Sequence, residues 1–252
     1  MNKIAFITGA TSGIGKASAH IFAKNNYNLI ITGRRKERLE EIAHHLKDKY
    51  AVEVLSLNFD VRNREEVETA INSLSDKWKS IDVLLNNAGL AVGLTNIQDG
   101  IYDDWERMID TNIKGLLYVT RNVSPLMIAQ GKGHIINIGS IAGKETYPFG
   151  NVYCGTKHAV DSLTKAMRID MVSEGIKVTQ VAPGAVETEF SNVRFKGDDA
   201  KADSIYQGFE PLHPEDIADA VFYCANLPAH VNINDMVIMP TAQANATTII
   251  RK

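Results

Sequence analysis

Short apolar runs alternate with amphipathic stretches along most of this chain. The runs Ile4–Ile7, Leu29–Ile31, Val52–Leu57, Val83–Leu85, Ile135–Ile138, Val178–Val181 and Met236–Met239 predict strands. Between them, Leu39, Ile42, Ala43 and Leu46 recur at i, i+3, i+4 and i+7, as do Val67, Ala70, Ile71 and Leu74, with charges on the other faces. That spacing predicts helices burying one stripe, and it makes the charge runs solvated faces rather than binding patches. Strand and helix alternating in this way imply right-handed crossovers and a parallel sheet covered on both sides. The expected fold class is α/β: a doubly wound parallel sheet of about seven strands.

Composition narrows the picture. The 252 residues hold no Pro/Ser-rich linker, internal repeat or low-complexity tract, so residues 1–252 read as a single domain burying about 70 to 75% of its unfolded surface. A formal net charge of −3 implies no broad basic surface and no nucleic-acid partner. Cys154 and Cys224 are the only cysteines, without CxxC spacing, which suits reduced thiols in a cytoplasmic protein. No apolar run reaches membrane-spanning length, and the amino terminus is broken by Thr8 and Gly9 before a signal-peptide core develops. None of the seven histidines forms an HExxH motif, and His44-His45 falls in a charged helix, so no metal is expected.

The first strand is followed by Gly9, Ala10, Thr11, Ser12, Gly13, Ile14 and Gly15, and then by a helical pattern. A glycine-rich turn between strand and helix presents backbone amides and a positive helix end to a pyrophosphate, as in Rossmann-type domains. Gly15-Lys16 resembles the end of a P-loop, but that motif needs glycine at Ala10 and Ser or Thr at Ala17, which excludes it. The second strand ends Thr32-Gly33-Arg34-Arg35, where NAD sites carry an acid. Two guanidiniums and no carboxylate suit the 2′-phosphate of NADP.

Tyr153 is the one of eight tyrosines with a lysine, Lys157, at i+4. On a helix the two side chains share a face, so the ammonium favours the phenolate of a group whose ordinary pKa is about 10. Ser140 follows the apolar run His134–Gly139, which sets its hydroxyl at a strand's carboxyl edge, where open α/β sheets bind ligands. Together these residues point to hydride transfer.

With Thr8-Gly9-x3-Gly13-x-Gly15, Asn86-Asn87-Ala88-Gly89, Asn112, Ser140, Tyr153-x3-Lys157 and Pro183-Gly184-x3-Thr188, the whole chain resembles the short-chain dehydrogenase/reductase family. The resemblance implies that Asp60 and Val61 contact adenine and that Asn87, Ala88, Gly89, Pro183 and Gly184 line the cofactor groove. It implies that Val186 and Thr188 hold the nicotinamide carboxamide. It also implies that Tyr153 is the acid/base, that Ser140 hydrogen-bonds the substrate oxygen, that Lys157 binds the ribose and that Asn112 supports a water leading to Lys157. Preplaced donors stabilise charge that forms on the carbonyl only as hydride arrives.

The segments Glu189–Gly197 and Asn234–Ala244 resemble the NADP-dependent serine/3-hydroxy acid dehydrogenase subfamily, which implies small 3-hydroxy acid substrates and a homotetramer. A substrate lid is expected at 189–212 and a carboxyl-terminal tail at 241–252, where it is free to cross to a neighbour. Arg194 suits a substrate carboxylate, with Lys196 and Arg251 as further cations and a solvated surface as the bland alternative. Two other readings stand beside this one: a 3-oxoacyl-thioester reductase, which needs a long groove, and a non-enzymatic NADP sensor, which usually has a broken Tyr/Lys pair.

Overall fold

Each apolar run becomes a strand in the computed structural model, which describes residues 2–252, the Asp203 side chain excepted. These are β1 (Ile4–Ile7), β2 (Asn28–Gly33), β3 (Val54–Asn58), β4 (Val83–Asn86), β5 (Gly133–Ile138), β6 (Ile176–Pro183) and β7 (Asp235–Ile238). They form a seven-stranded sheet in the order β3-β2-β1-β4-β5-β6-β7. Every neighbouring pair is parallel.

The connections contain α1 (Gly13–Lys24), α2 (Lys36–Tyr50), α3 (Arg64–Asn72) and α4 (Asp76–Lys79). After β4 come α5 (Tyr102–Ile109), a π-helical turn over Asp110–Gly115, and α6 (Leu116–Ala129). They are followed by α7 (Asn151–Met171), α8 (Phe190–Arg194), α9 (Asp199–Ser204) and α10 (Pro214–Ala225). No helix among the described residues is long and apolar enough to cross a membrane.

Alternation along the strands builds two cores. Ala5 and Ile7 join Leu29, Ile31, Phe22 and Val221 on the face covered by α1, α2 and α10. Phe6 joins Ile30, Leu84, Val119 and Val178 on the face covered by α3, α6 and α7. Complete burial of such a side chain contributes about 1.5–3 kcal/mol, so the two layers hold the strand order firmly. Val52 and Leu74, which belong to the predicted strand and helix, fall just outside the observed β3 and α3 yet are only 6% and 4% exposed. Burial sets the apolar pattern, and it runs past the last ladder hydrogen bond.

The strand order reverses between β1 and β4, so the chain leaves these neighbours in opposite directions and opens a crevice at the carboxyl edge. A third apolar cluster stands over this edge: Leu90, Ala91, Val92, Met108, Ala142, Tyr153 and Cys154, with Tyr147 and Phe190 packed against it.

Candidate active site

The crevice is a cleft of about 490 Å³, within the range of small-molecule sites. Its floor begins at the glycine turn. Gly9 and Gly13 have φ of +66° and +50°, conformations that favour glycine. A Cβ on Gly15 would stand 2.3 Å from the Gly9 carbonyl oxygen, so α1 lies directly against the turn. Ser12 caps α1 without a side-chain hydrogen bond, and the first turn carries no acid. By contrast, α10 begins with a reciprocal His213/Asp216 capping box and α3 with the Asn63 side chain. The amides and positive end of α1 are thus left for an anion.

Side chains lock the turn to β4. The Thr8 hydroxyl accepts from the amides of Asn87 (2.9 Å) and Ala88 (3.0 Å). The Asn87 side-chain amide donates to the Thr8 and Gly9 carbonyls at 2.8 and 3.2 Å. Thr11, Ser12, Gly13, Ile14, Asn87, Ala88 and Gly89 all line the cleft. Gly15 does not; it supports the turn from behind.

Arg34 and Arg35 stand at the β2 tip. Arg35 donates from Nη2 to Thr11 Oγ1 and Ser12 Oγ, both at 2.9 Å, and from Nη1 to Glu189 Oε2 at 2.7 Å. Arg34 is more than half exposed and lies 3.8 Å from Asp60, whose carboxylate Arg62 grips through Nε and Nη2. Burial raises the Asp60 pKa, but the bonds from Arg62 outweigh it and leave the carboxyl below its ordinary value. Asp60 and Val61 line the adjoining wall. Arg38, one helical turn further on, joins Arg35 on Glu189 at 2.9 Å.

The other half of the cleft is built by β5, α7 and the segment after β6. Ser140 Oγ accepts from the Ala142 amide at 3.1 Å, which leaves its own hydrogen free to donate. Tyr153 and Lys157 lie on one face of α7, with the ammonium 6.0 Å from the ring centroid. Lys157 Nζ donates to the Ile138 carbonyl at 2.9 Å, and burial pushes its pKa down to about 8. Burial drives the Tyr153 pKa up, aided by Tyr147, while Ser140 and Arg194 pull it down.

Asn112 is 2% exposed, in the π-helical turn. Its side chain accepts from the Leu90 amide at 2.8 Å and donates to the Leu90 carbonyl and to Thr156 Oγ1. It fastens the strand-end loop to α7 from behind the cleft.

Pro183, Gly184, Val186 and Thr188 form the opposite wall, Thr188 reaching within 3.2 Å of a Cβ placed on Gly13. Arg194 Nη2 donates to the Tyr147 hydroxyl at 2.8 Å, and its guanidinium carbon lies 5.6 Å from the Tyr153 ring centroid. Arg194 Nε is buried and has no hydrogen-bond partner among the described residues. Lys196 turns away to pair with Asp104 at 2.8 Å. Arg251 donates to the Ile205 and Gln207 carbonyls, folding the tail onto residues 205–208 of its own chain.

Sequence reasoning passed over Tyr147, Glu189, Arg38 and Gln243. Arg38 lies in the first turn of α2, immediately after the arginines of the β2 tip, and pairs with Glu189. Gln243 Oε1 accepts from the Ala185 amide at 2.9 Å, a contact between distant segments that no local spacing signals.

A family model described as short chain dehydrogenase matches residues 3–199. The NADP-dependent 3-hydroxy acid dehydrogenase YdfG of Salmonella typhi is 49% identical over 244 residues, covering 96% of this chain and 97% of that protein. Sulfoacetaldehyde reductase 2 of Chromohalobacter salexigens is 46% identical, covering 97% and 96% of the two chains. A solved structure, the closed form of serine dehydrogenase complexed with NADP+, superimposes with a TM-score of 0.92 at 46% identity over 99% of both chains. The chain belongs to the short-chain dehydrogenase family.

Proposed function

We propose that this protein is an NADP-dependent oxidoreductase interconverting small 3-hydroxy acids and their 3-oxo acids or semialdehydes, with Tyr153 as acid/base. One observation carries the reading: the buried Tyr153 lines the same cleft as Ser140 and Arg194, the Arg194 guanidinium carbon lying 5.6 Å from the Tyr153 ring centroid and its Nη2 bonded to Tyr147. The proton carrier, a hydroxyl donor and an anion-binding cation therefore address one small volume. The names of the relatives, with hydroxy acid, serine and sulfoacetaldehyde as their substrates, support a small substrate bearing an anionic group.

The glycine cradle, the uncapped α1 terminus and the Arg34/Arg35 pair fit a 2′-phosphorylated dinucleotide. When bound, NADP accepts or supplies the hydride. Ser140 donates to the substrate oxygen as negative charge builds there. Burial holds the Tyr153 phenol protonated, the state required for delivering a proton during carbonyl reduction. Lys157, with a pKa of about 8, remains mainly cationic at neutral pH. One of its three protons goes to Ile138, and the others are left for the nicotinamide ribose. Asn112 keeps the loop and α7 in register. Arg194, steadied by Tyr147, takes the substrate carboxylate, and segment 189–212 acts as the lid that carries it. A cytoplasmic homotetramer is the proposed setting.

The test offers purified protein NADP or NAD with L-serine, L-allo-threonine, 3-hydroxypropionate and 3-hydroxyisobutyrate, and the reduced cofactors with malonic semialdehyde, sulfoacetaldehyde and an acetoacetyl thioester. Absorbance of the reduced nicotinamide should change with NADP and the small acids; fastest turnover of the thioester would select the acyl reductase reading instead. Tyr153→Phe should lower kcat about 10²–10⁴-fold with NADP affinity retained. Retention of more than about a tenth of kcat removes Tyr153 from the proton-transfer role.

A further inference from the structure

Glu189 lies between Thr188, on the cleft wall, and α8, which ends at Arg194. Its side chain crosses the mouth of the cleft to the β2 tip. One oxygen accepts from Arg35 at 2.7 Å and the other from Arg38 at 2.9 Å. The partner of Glu189 is thus the same guanidinium that holds Thr11 and Ser12 beside the glycine turn. The Arg35 bond holds the Glu189 carboxyl below its ordinary pKa, so it is ionised at neutral pH.

We propose that Glu189 is a cofactor-discriminating residue: its carboxylate, shared between Arg35 and Arg38, occupies one of the two guanidiniums offered to a 2′-phosphate, so the phosphate must displace it from Arg35. The inference rests on the NADP reading above. The pair is half exposed, with side-chain exposures of 41% for Arg35 and 51% for Glu189. Such pairs are weak, and one carboxylate charge competes against nearly two on a phosphate ester. Displacement is therefore favourable but not free. A dinucleotide without the 2′-phosphate makes no demand on these guanidiniums and leaves Glu189 in place. The carboxylate thus weakens NADP specifically, while keeping the arginine pair compensated before cofactor arrives.

The experiment titrates wild type and Glu189→Gln with NADP, NAD, 2′,5′-ADP and 5′-AMP by calorimetry, with thermal melts to verify folding. Glutamine keeps the size and removes the charge. The expected result is tighter binding of NADP and 2′,5′-ADP by about three- to tenfold, with NAD and 5′-AMP unchanged and the gain shrinking at high salt. Unchanged affinities, equal gains for all four ligands, or weaker NADP binding would each overturn the proposal. Wild type preferring NAD would instead overturn the NADP reading. The 2′,5′-ADP to 5′-AMP comparison between the two proteins still decides the role of Glu189.

Discussion

The two halves of the cleft are held by different kinds of contact. On the β1 side, backbone meets backbone: Gly15 against the Gly9 carbonyl, with Thr8 and Asn87 satisfying main-chain groups. On the side formed by residues 189–212, side chains meet side chains: Glu189 with Arg35 and Arg38, Arg194 with Tyr147, Lys196 with Asp104. The first kind of contact has one allowed geometry and no tolerance for an added methyl. The second is partly exposed, individually weak and able to exchange partners. A rigid nucleotide cradle facing an exchangeable side-chain wall suits a site that takes one cofactor while admitting and releasing substrate.

Three changes probe this contrast. The largest effect is expected for Gly15→Ala, whose Cβ would fall 2.3 Å from the Gly9 oxygen and 2.5 Å from Asn87 Nδ2. Overpacking against backbone should cost about 3 kcal/mol in urea unfolding, with NADP affinity down about a hundredfold. If titration shows near-normal binding, the cradle is softer than its geometry implies.

Lys157→Met comes next and is read in the cofactor-free protein. The folded-state pKa of Lys157 is depressed to about 8 from 10.5, so between these values the unfolded chain binds the extra proton and stability rises with pH. Denaturant titrations from pH 8 to 10 should show wild type gaining about 2–3 kcal/mol relative to the methionine variant. Parallel profiles for the two proteins would mean that the ammonium is solvated in the empty cleft.

The smallest effect belongs to the side-chain wall. Arg194→Met should raise KM for 3-hydroxypropionate about tenfold and leave an uncharged alcohol of similar size almost untouched. Equal kcat/KM losses for acid and alcohol would assign Arg194 to holding the lid rather than the carboxylate.

The same contrast explains what could be read from the sequence. The five inner strands are legible because a parallel strand buried on both faces is a short apolar run, the partly exposed edge strands β3 and β7 because they keep apolar residues at alternate or successive positions, and the glycine turn because its φ values and close approaches admit little else. Ser140, Tyr153 and Lys157 were locatable because a strand end and an i,i+4 spacing fix where side chains point. Glu189 is separated by 154 residues from Arg35, and Arg194 by 47 from Tyr147. No periodicity links such partners; only the folded sheet brings them together. The Tyr153 environment was opaque for a related reason. Its elevated pKa comes from its burial within a third apolar cluster that the strand and helix patterns do not announce.

The π-helical turn at Asp110–Gly115 acts as a phase adjuster in a long screw. An α-helix advances about 100° per residue, and a π turn takes up roughly one extra residue. That offset lets α5 present one azimuth toward α7 while α6 presents another to the sheet, with Asn112 facing inward between them. Shortening the turn by one residue would rewind the screw and rotate one of these faces out of alignment, although every residue identity on both helices stayed the same.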